Sequence, residues 1–136
     1  MKSCPCGSNV PYFDCCNRFI STEKSAPTAE LLMRSRYTAY TQAEFGYIKR
    51  TMKGKALRRF NKQRSEERTH KVNWHKLEII KVFQSGNRHF VEFIAYFSID
   101  NKSETLHERS EFLFENGKWY YVDGTIFSNP FTLGSR

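Results

Sequence analysis

The chain has 136 residues, of which 39% are hydrophobic, 15% aromatic and 26% charged. This composition excludes an intrinsically disordered chain, and the length fits one domain with at most a very small second one. No apolar run approaches the roughly 18 residues that a transmembrane helix needs, and no apolar segment follows Met1–Cys4, so we expect a cytoplasmic protein without a transmembrane segment.

All four cysteines lie at the start of the chain, at Cys4, Cys6, Cys15 and Cys16. Disulfides are one interpretation, but no secretory segment precedes them, and a bond between the adjacent Cys15 and Cys16 would be strained. Four thiolates at about 2.3 Å from one cation suit tetrahedral Zn²⁺. We therefore favour a structural zinc site with these four cysteines as its ligands.

Helices are predicted for the next part of the chain. A polar linker over 21–26 leads to a helix that begins at Pro27 and Thr28. Segment 43–49 is predicted to continue as helix with a break at Gly46, and segment 56–68 to form a surface helix. The first helix has an apolar face, because apolar residues recur at helical spacing. They are Ala29, Leu32, Met33, Tyr37 and Tyr40.

The excess positive charge lies in segment 49–76. The segment contains eleven Lys and Arg residues and only two acidic residues, Glu66 and Glu67. Its net charge is therefore +9, while that of the whole chain is +8. Such a field attracts polyanions, which makes RNA, the ribosome surface or anionic lipid the expected partners. A solvated surface that only keeps the protein in solution is the alternative, since only Phe60 and Trp74 could stack on bases.

Strands are predicted from Trp74 onward. Apolar and polar residues alternate up to a turn at 85–87, and further strands are predicted over 89–99, 106–115 and 118–127. The tight turns between them, above all Asn116-Gly117, imply an antiparallel meander. Helices followed by a curled sheet make an α+β fold, with one sheet face under the first helix.

Two groups of residues carry a family resemblance. Cys4-Pro5-Cys6-Gly7-Ser8, the aromatic Tyr12 and Cys15-Cys16 resemble the SEC-C motif, the zinc-binding tail module of SecA. LMRSRYTAY at 32–40 and GKWYYVDG at 117–124 resemble the YchJ-like family of bacterial proteins. The resemblance implies a SEC-C knob over 1–20, followed over 27–136 by an NTF2-like cone in which helices pack on a curved antiparallel sheet.

The resemblance also bears on the metal. Longer members of the family have a second SEC-C copy at the C-terminus, whereas positions 130–136 here contain no cysteine, so one metal ion per chain is expected. The family further implies that iron is an alternative occupant in the cell. Thiolate geometry does not separate iron from zinc.

NTF2-like folds often enclose a pocket with acid and base side chains. Alternation places His107, Arg109 and Glu111 on one face of the third strand, and Trp119, Tyr121 and Asp123 on one face of the fourth. One alternative is a satisfied polar network, for example with Arg36 paired to Glu111 or Asp123, and another is that these strand faces simply meet solvent. No nucleophile–base motif or phosphate loop is present, which makes an enzyme the less favoured interpretation. The candidate pocket residues are Arg36, Tyr40, His107, Glu111 and Asp123.

Two functions are consistent with these features. In the first, a zinc-ordered knob with the aromatic pair Tyr12 and Phe13 docks on a protein or nucleoprotein partner, such as the translation or secretion machinery, with help from segment 49–76. The tail module of SecA contacts a chaperone and anionic lipid, which implies the same kind of role. In the second, the pocket binds a small molecule or works as an isomerase- or dehydratase-like enzyme.

The end of the chain is also expected to pack. Phe127, Phe131 and Leu133 are predicted to pack on the sheet. An apolar sheet face left open would instead indicate a homodimer.

Overall fold

The computed structural model describes residues 2–128, in which helices precede a single sheet. Among these residues, no helix has the length and hydropathy that crossing a bilayer requires. A 3₁₀ turn at Tyr12–Asp14 comes first. The helices are α1 (Asn17–Ile20), α2 (Ala29–Thr41), α3 (Phe45–Arg50), α4 (Gly54–Arg59) and α5 (Lys62–Thr69), and the strands are β1 (Val72–Ser85), β2 (Arg88–Ile99), β3 (Lys102–Glu115) and β4 (Lys118–Ser128).

The four strands form one antiparallel sheet in the order β1-β2-β3-β4, which confirms the predicted meander. The Asn116-Gly117 turn has φ values of 52° and 78°, so both residues adopt the left-handed conformation that this kind of hairpin turn requires. The turn before β3 contains only Asp100 and Asn101, with φ values of 51° and 66°. Strand β3 therefore begins at Lys102, four residues earlier than the alternation predicts.

Helix α2 is the central helix of the fold. The Thr28 side chain caps its start by accepting a hydrogen bond from the Leu31 amide at 3.1 Å, which confirms the predicted beginning. The predicted apolar face is confirmed, although Tyr40 is only half-buried. The polar residues Ser35, Arg36 and Thr38 are buried as well. This happens because the N-terminal segment covers one side of α2 while the sheet covers another.

The predicted boundaries of the later helices are wrong in two places. Gly46 lies inside α3, and the interruption comes before it, at Ala43, whose φ is 57°. Segment 56–68 forms two helices rather than one. Phe60 and Asn61 separate them. The extended backbone of Phe60 ends α4, and the Asn61 side chain accepts a hydrogen bond from the Arg64 amide at 2.9 Å at the start of α5.

The core lies between α2 and the inner face of the sheet. Alternate residues of β2 are buried there, namely Val91, Phe93, Ala95 and Phe97. The Trp74 indole joins the two layers, since its ring centroid lies 5.6 Å from that of Tyr37 on α2 and 5.3 Å from that of Phe97 on β2. The predicted α+β fold with one sheet face under the first helix is confirmed.

The outer face of the sheet is partly apolar. Phe83 of β1 and Phe90 of β2 pair on it and are half-buried, with ring centroids 4.9 Å apart. Phe127 is half-exposed and packs on this face against His107, with ring centroids 4.8 Å apart. Phe131 and Leu133 lie outside the described residues, and the homodimer expected from an open sheet face stays a prediction.

Two glycines with different surroundings test the packing of the inner sheet face. A Cβ at Gly124 would lie 2.5 Å from both Glu108 Oε2 and Tyr121 Oη, whereas a Cβ at Gly46 would meet nothing within 4 Å. We expect Gly124→Ala to lower the free energy of unfolding by about 1–3 kcal/mol through overpacking. The control Gly46→Ala, inside α3, should raise it by about 0.5–1 kcal/mol. Urea denaturation measures both, and a Gly124→Ala protein as stable as the parent would contradict the packing described here.

Candidate functional site

The N-terminal segment brings its four cysteines together at one buried point. The Sγ atoms of Cys4, Cys6, Cys15 and Cys16 all lie within 4.8 Å of one another, and all four are free thiols. The Cys6–Cys15 and Cys15–Cys16 sulfur distances are 3.6 Å and 4.0 Å. Four sulfurs placed tetrahedrally at 2.3 Å from Zn²⁺ would be about 3.8 Å apart. The donor set and its spacing therefore fit one tetrahedral metal ion.

The local backbone explains why the sulfurs converge. The Cys4 amide donates to the Val10 carbonyl at 2.8 Å, which folds the segment into a narrow loop. Gly7 makes the tight turn with a φ of 84°, and a Cβ there would also come within 3.5 Å of the Leu77 carbonyl oxygen. The 3₁₀ turn after the loop then presents Cys15, whose amide donates to the Tyr12 carbonyl at 3.0 Å.

Polar groups from the segment and from α2 surround the sulfurs. The Ser8 Oγ lies 3.1 Å from Cys15 Sγ, and the Thr38 Oγ1 of α2 lies 3.7 Å from Cys4 Sγ. Arg34 donates from Nη1 to the Cys6 carbonyl at 2.6 Å. These hydroxyls and this cation oppose the negative charge that thiolates would bring. Sequence analysis missed Thr38 and Arg34, because both come from a helix distant in the sequence.

The thiols have unequal affinities for protons. Hydrogen bonds from the Cys16 and Cys4 thiols lower the pKa of Cys6, while burial raises the pKa of Cys15. A bound cation is what would hold all four sulfurs ionised together.

The cysteine segment is attached firmly to the rest of the molecule. Phe19 and Ile20 of α1 are 1% and 6% exposed and belong to the same buried cluster as the α2 residues. Arg50 of α3 donates from Nη2 to the Phe19 carbonyl at 3.1 Å and to the Ile20 carbonyl at 3.4 Å. The expected knob thus packs on the helices instead of standing apart from them.

The candidate pocket residues are divided between the two faces of the sheet. A cavity of about 180 Å³ lies between α2, α5 and the inner face, and Arg36 and Tyr40 line it. His107, Glu111 and Asp123 do not line it. His107 lies 2.8 Å from a Glu92 oxygen, and Glu111 and Asp123 border a surface depression instead.

The carboxylates of that depression form ion pairs with basic residues. Glu111 pairs with Arg88 at 2.6 Å, and Asp123 lies 3.5 Å from Lys55 Nζ and 3.7 Å from Arg59 Nη1. The pairing of β3 with β4 shifts between Glu111 and the next residue, and this bulge turns Asp123 away from the face that carries Tyr121. The expectation that Trp119, Tyr121 and Asp123 share one face is therefore wrong.

The cavity floor is built by residues that sequence analysis missed. Glu108 is 8% exposed, and its Oε2 accepts hydrogen bonds from Ser110 Oγ at 2.7 Å and Tyr121 Oη at 2.9 Å. The predicted alternation of β3 is correct, but the face chosen for the pocket is the opposite one. Leu106 and Phe112 share the face of Glu108, and this apolar pair is the signal that marks it as the inner face.

Arg36 is held by α3 and by an aromatic ring. It is 6% exposed, and its Nη1 donates to the Ile48 carbonyl and to Thr51 Oγ1, both at 2.7 Å. Its guanidinium carbon lies 4.6 Å from the centroid of the Tyr121 ring. Arg36 therefore belongs to a satisfied polar network, but its partners are a backbone carbonyl, a hydroxyl and a ring, and the expected pairing with Glu111 or Asp123 is wrong.

The buried carboxyl at Glu108 makes stability depend on pH. Burial raises its pKa above 4.5, against the opposing hydrogen bonds of Ser110 and Tyr121 and the charge of Arg36. The folded state therefore holds this proton more tightly than the unfolded state does. The contribution of this proton to the free energy of unfolding is fully present below about pH 4.5, and it is lost as pH rises through the folded-state pKa.

We therefore expect the parent to lose free energy of unfolding relative to Glu108→Gln as pH rises from 4 to 8. Urea denaturation of both proteins across this range measures the difference. Glu23→Gln, at an exposed carboxyl, is the control and should show no such divergence. A difference that is constant with pH, or that has the opposite sign, would contradict the burial of an ionisable Glu108.

Comparison with known proteins places the chain in a family. Residues 28–124 match the domain described as "YchJ, middle NTF2-like domain". The chain is 38% identical over 130 residues to a UPF0225 protein of Vibrio parahaemolyticus, which covers 92% of this chain and 75% of that protein.

Solved structures agree with this match. The solution structure of a SEC-C motif containing protein from Rhodopseudomonas palustris superposes with a TM-score of 0.83 at 34% identity, over 91% of this chain and 98% of that one. The crystal structure of a SEC-C motif containing protein from Psychrobacter arcticus superposes with a TM-score of 0.80 at 27% identity, over 95% of this chain and 85% of that one. The chain therefore belongs to the YchJ-like (UPF0225) family, with an NTF2-like domain behind an N-terminal cysteine cluster of SEC-C type.

Proposed function

We propose that this protein is a metal-dependent interaction module that docks its NTF2-like domain onto a nucleoprotein partner, such as the translation machinery. Zn²⁺ would be held by Cys4, Cys6, Cys15 and Cys16, one ion per chain. The observation that carries the proposal is the convergence of four buried sulfurs within 4.8 Å. The same thiolate set also binds iron, which is the alternative occupant in the cell.

The burial of the sulfurs supports a structural role for the metal. The four cysteines are between 0% and 3% exposed. Catalytic zinc sites keep one coordination position open for water or substrate, whereas four protein thiolates fill a tetrahedral site completely. The metal would therefore cross-link two parts of the N-terminal segment and supply no reaction chemistry. Free thiols also fit a cytoplasmic location, where cysteines stay reduced.

The cross-link supports a surface that carries an exposed aromatic residue. Phe13 is 67% exposed, and its ring lies 5.5 Å from that of Tyr12. Tyr12 is itself fixed by a hydrogen bond from its hydroxyl to Gln42 Oε1 at 3.0 Å. Val10 beside them is 38% exposed. Exposed aromatic side chains on a rigid support are typical anchors of protein interfaces.

A basic surface is connected to this segment. Helix α5 has no buried residue and α4 buries only Ala56, so the Lys and Arg side chains of segment 49–76 extend largely into solvent. Arg50, near the start of this basic segment, also bonds the backbone of α1. A direct contact therefore joins the segment that carries the aromatic anchor to the basic segment. RNA in a nucleoprotein complements such a charge distribution.

Co-sedimentation with purified ribosomes tests the proposal. We expect the zinc-loaded full chain to bind at low salt and to dissociate as salt rises, because counterions compete with the basic helices. Phe13→Ser should weaken binding by about tenfold or more. Phe114→Ser is the matched control, since Phe114 on β3 is 54% exposed and lies outside the proposed interface.

The role of the metal is tested in the same assay. Removal of zinc by a chelator, or the double substitution Cys15→Ser and Cys16→Ser, should abolish both metal content and ribosome binding. A double variant that lacks metal but keeps full binding would show that the interface does not need the site. Binding to anionic vesicles without any binding to ribosomes would contradict the nucleoprotein partner.

A further inference from the structure

The outer face of the sheet carries a row of stacked aromatic and cationic side chains, which we call the aromatic row. The Phe83 ring on β1 and the Phe90 ring on β2 are parallel to within 13°, with centroids 4.9 Å apart. The guanidinium carbon of Arg109 on β3 lies 6.0 Å from the Phe90 centroid and 5.8 Å from that of Phe127 on β4. The His107 ring lies 4.8 Å from the Phe127 ring and completes the row. These five residues reach across all four strands.

The rings of the row meet solvent. Val91 of β2 is fully buried on the inner face, so its neighbour Phe90 lies on the outer one, together with its partner Phe83. Phe83 and Phe90 are half-buried, and Phe127 is 51% exposed. Part of the aromatic surface is therefore free to contact a ligand.

The acidic residues of this face are neutralised by their neighbours. Tyr96 donates from its hydroxyl to Glu78 at 2.7 Å, and His107 Nε2 lies 2.8 Å from a Glu92 oxygen. The remaining three form ion pairs with Lys or Arg side chains, and they are Glu111, Glu115 and Asp123.

Three cations of the same face contact rings instead of acids. Lys76 Nζ lies 5.0 Å from the Tyr96 centroid, and Lys81 Nζ lies 4.9 Å from the Phe83 centroid. Arg109 lies between Phe90 and Phe127, as described above. Within residues 2–128, none of these three cations forms an ion pair. Their positive charge is therefore available to an anionic group that lies beside the rings.

The basic segment 49–76 borders this face at β4. Lys55 and Arg59 of α4 lie 3.5 Å and 3.7 Å from the Asp123 carboxylate. The positive charge of the helices thus continues onto the outer face of the sheet.

We propose that the outer face of the sheet binds single-stranded RNA. Aromatic side chains on an antiparallel four-stranded sheet can stack on about two or three unpaired bases, and cations beside the rings can contact the phosphates. The flat bases would stack on the rings of the row, and Lys81 and Arg109 would contact the backbone. The choice of RNA over DNA rests on the nucleoprotein partner proposed above. The row itself shares no residue with the cysteine segment or with Phe13.

Charge also argues against a second copy of the chain on this face. A two-fold symmetric dimer would bring the same patch of each protomer together. The cations Lys76, Lys81 and Arg109 would then meet their own copies, and like charges repel. A single-stranded polyanion complements these charges instead.

Fluorescence anisotropy of the zinc-loaded full chain tests this proposal. The probe is a fluorescein-labelled single-stranded RNA of about eight nucleotides, within the usual length for such sites. It should bind about tenfold more tightly than an RNA duplex of the same length, because paired bases are not free to stack. Tighter binding of single-stranded DNA of the same sequence would contradict the choice of RNA.

Substitutions separate stacking from charge. Phe127→Ser should weaken binding of the single strand about tenfold through the loss of a stacking ring. Phe114→Ser is the matched control, since Phe114 is 54% exposed but alternates with the core residue Phe112 and so lies on the inner face. Lys81→Gln should lower the slope of log affinity against log salt by about 0.7, the effect of one phosphate contact. Lys102→Gln, at the exposed start of β3, should leave this slope unchanged.

Phe13→Ser keeps this proposal distinct from the docking function. It should weaken ribosome binding and leave binding of the short RNA unchanged, because Phe13 lies outside the aromatic row. Loss of the short-RNA affinity in Phe13→Ser would assign that affinity to the N-terminal segment and overturn the proposal.

Other results would overturn it as well. One is equal affinity for the single strand and the duplex, and another is a folded Phe127→Ser protein that binds the single strand like the parent. Sedimentation equilibrium supplies the last. A homodimer that Phe127→Ser dissociates, in a protein without affinity for the RNA, would assign the face to a second copy.

Discussion

Four sulfur atoms buried at one point are the constraint from which the arrangement of the helices follows. The Sγ atoms within 4.8 Å of one another tie the opening loop to α1, and their thiolates would carry more negative charge than a protein interior accepts without a cation. Thr38 and Arg34 of α2 reach this cluster through a hydroxyl and a guanidinium. The cysteine segment is thereby held against α2, and the helix is buried on the side opposite the sheet.

Helix α2 serves both of the sites described above. Thr38 contacts a cysteine sulfur, while Arg36 and Tyr40, two positions to either side, line the inner cavity. Side chains two residues apart point to different sides of a helix, so one short stretch forms the wall between the cluster and the cavity. This also explains why α2 buries polar residues that a helix with a single apolar face would expose.

Local patterns in the sequence predicted much of this structure. The crowding of cysteines, the helical spacing of Leu32 and Met33, and the Asn116-Gly117 turn each have one dominant physical interpretation, and the corresponding elements are present. The inner face of β3 is harder to predict from the sequence, because both alternating sets of residues contain charged side chains. The bulge beyond Glu111 leaves no signal in the sequence, and it reverses the orientation of Asp123. Contacts such as Thr38 with Cys4 depend on tertiary packing across 34 positions.

X-ray absorption spectroscopy of the full chain, purified under reducing conditions from zinc-supplemented medium, tests the central claim most directly. The account predicts one metal ion per chain, with four sulfur neighbours at about 2.3 Å and no nitrogen or oxygen in the first coordination sphere. A folded protein without metal, or a metal bound through nitrogen and oxygen, would contradict it.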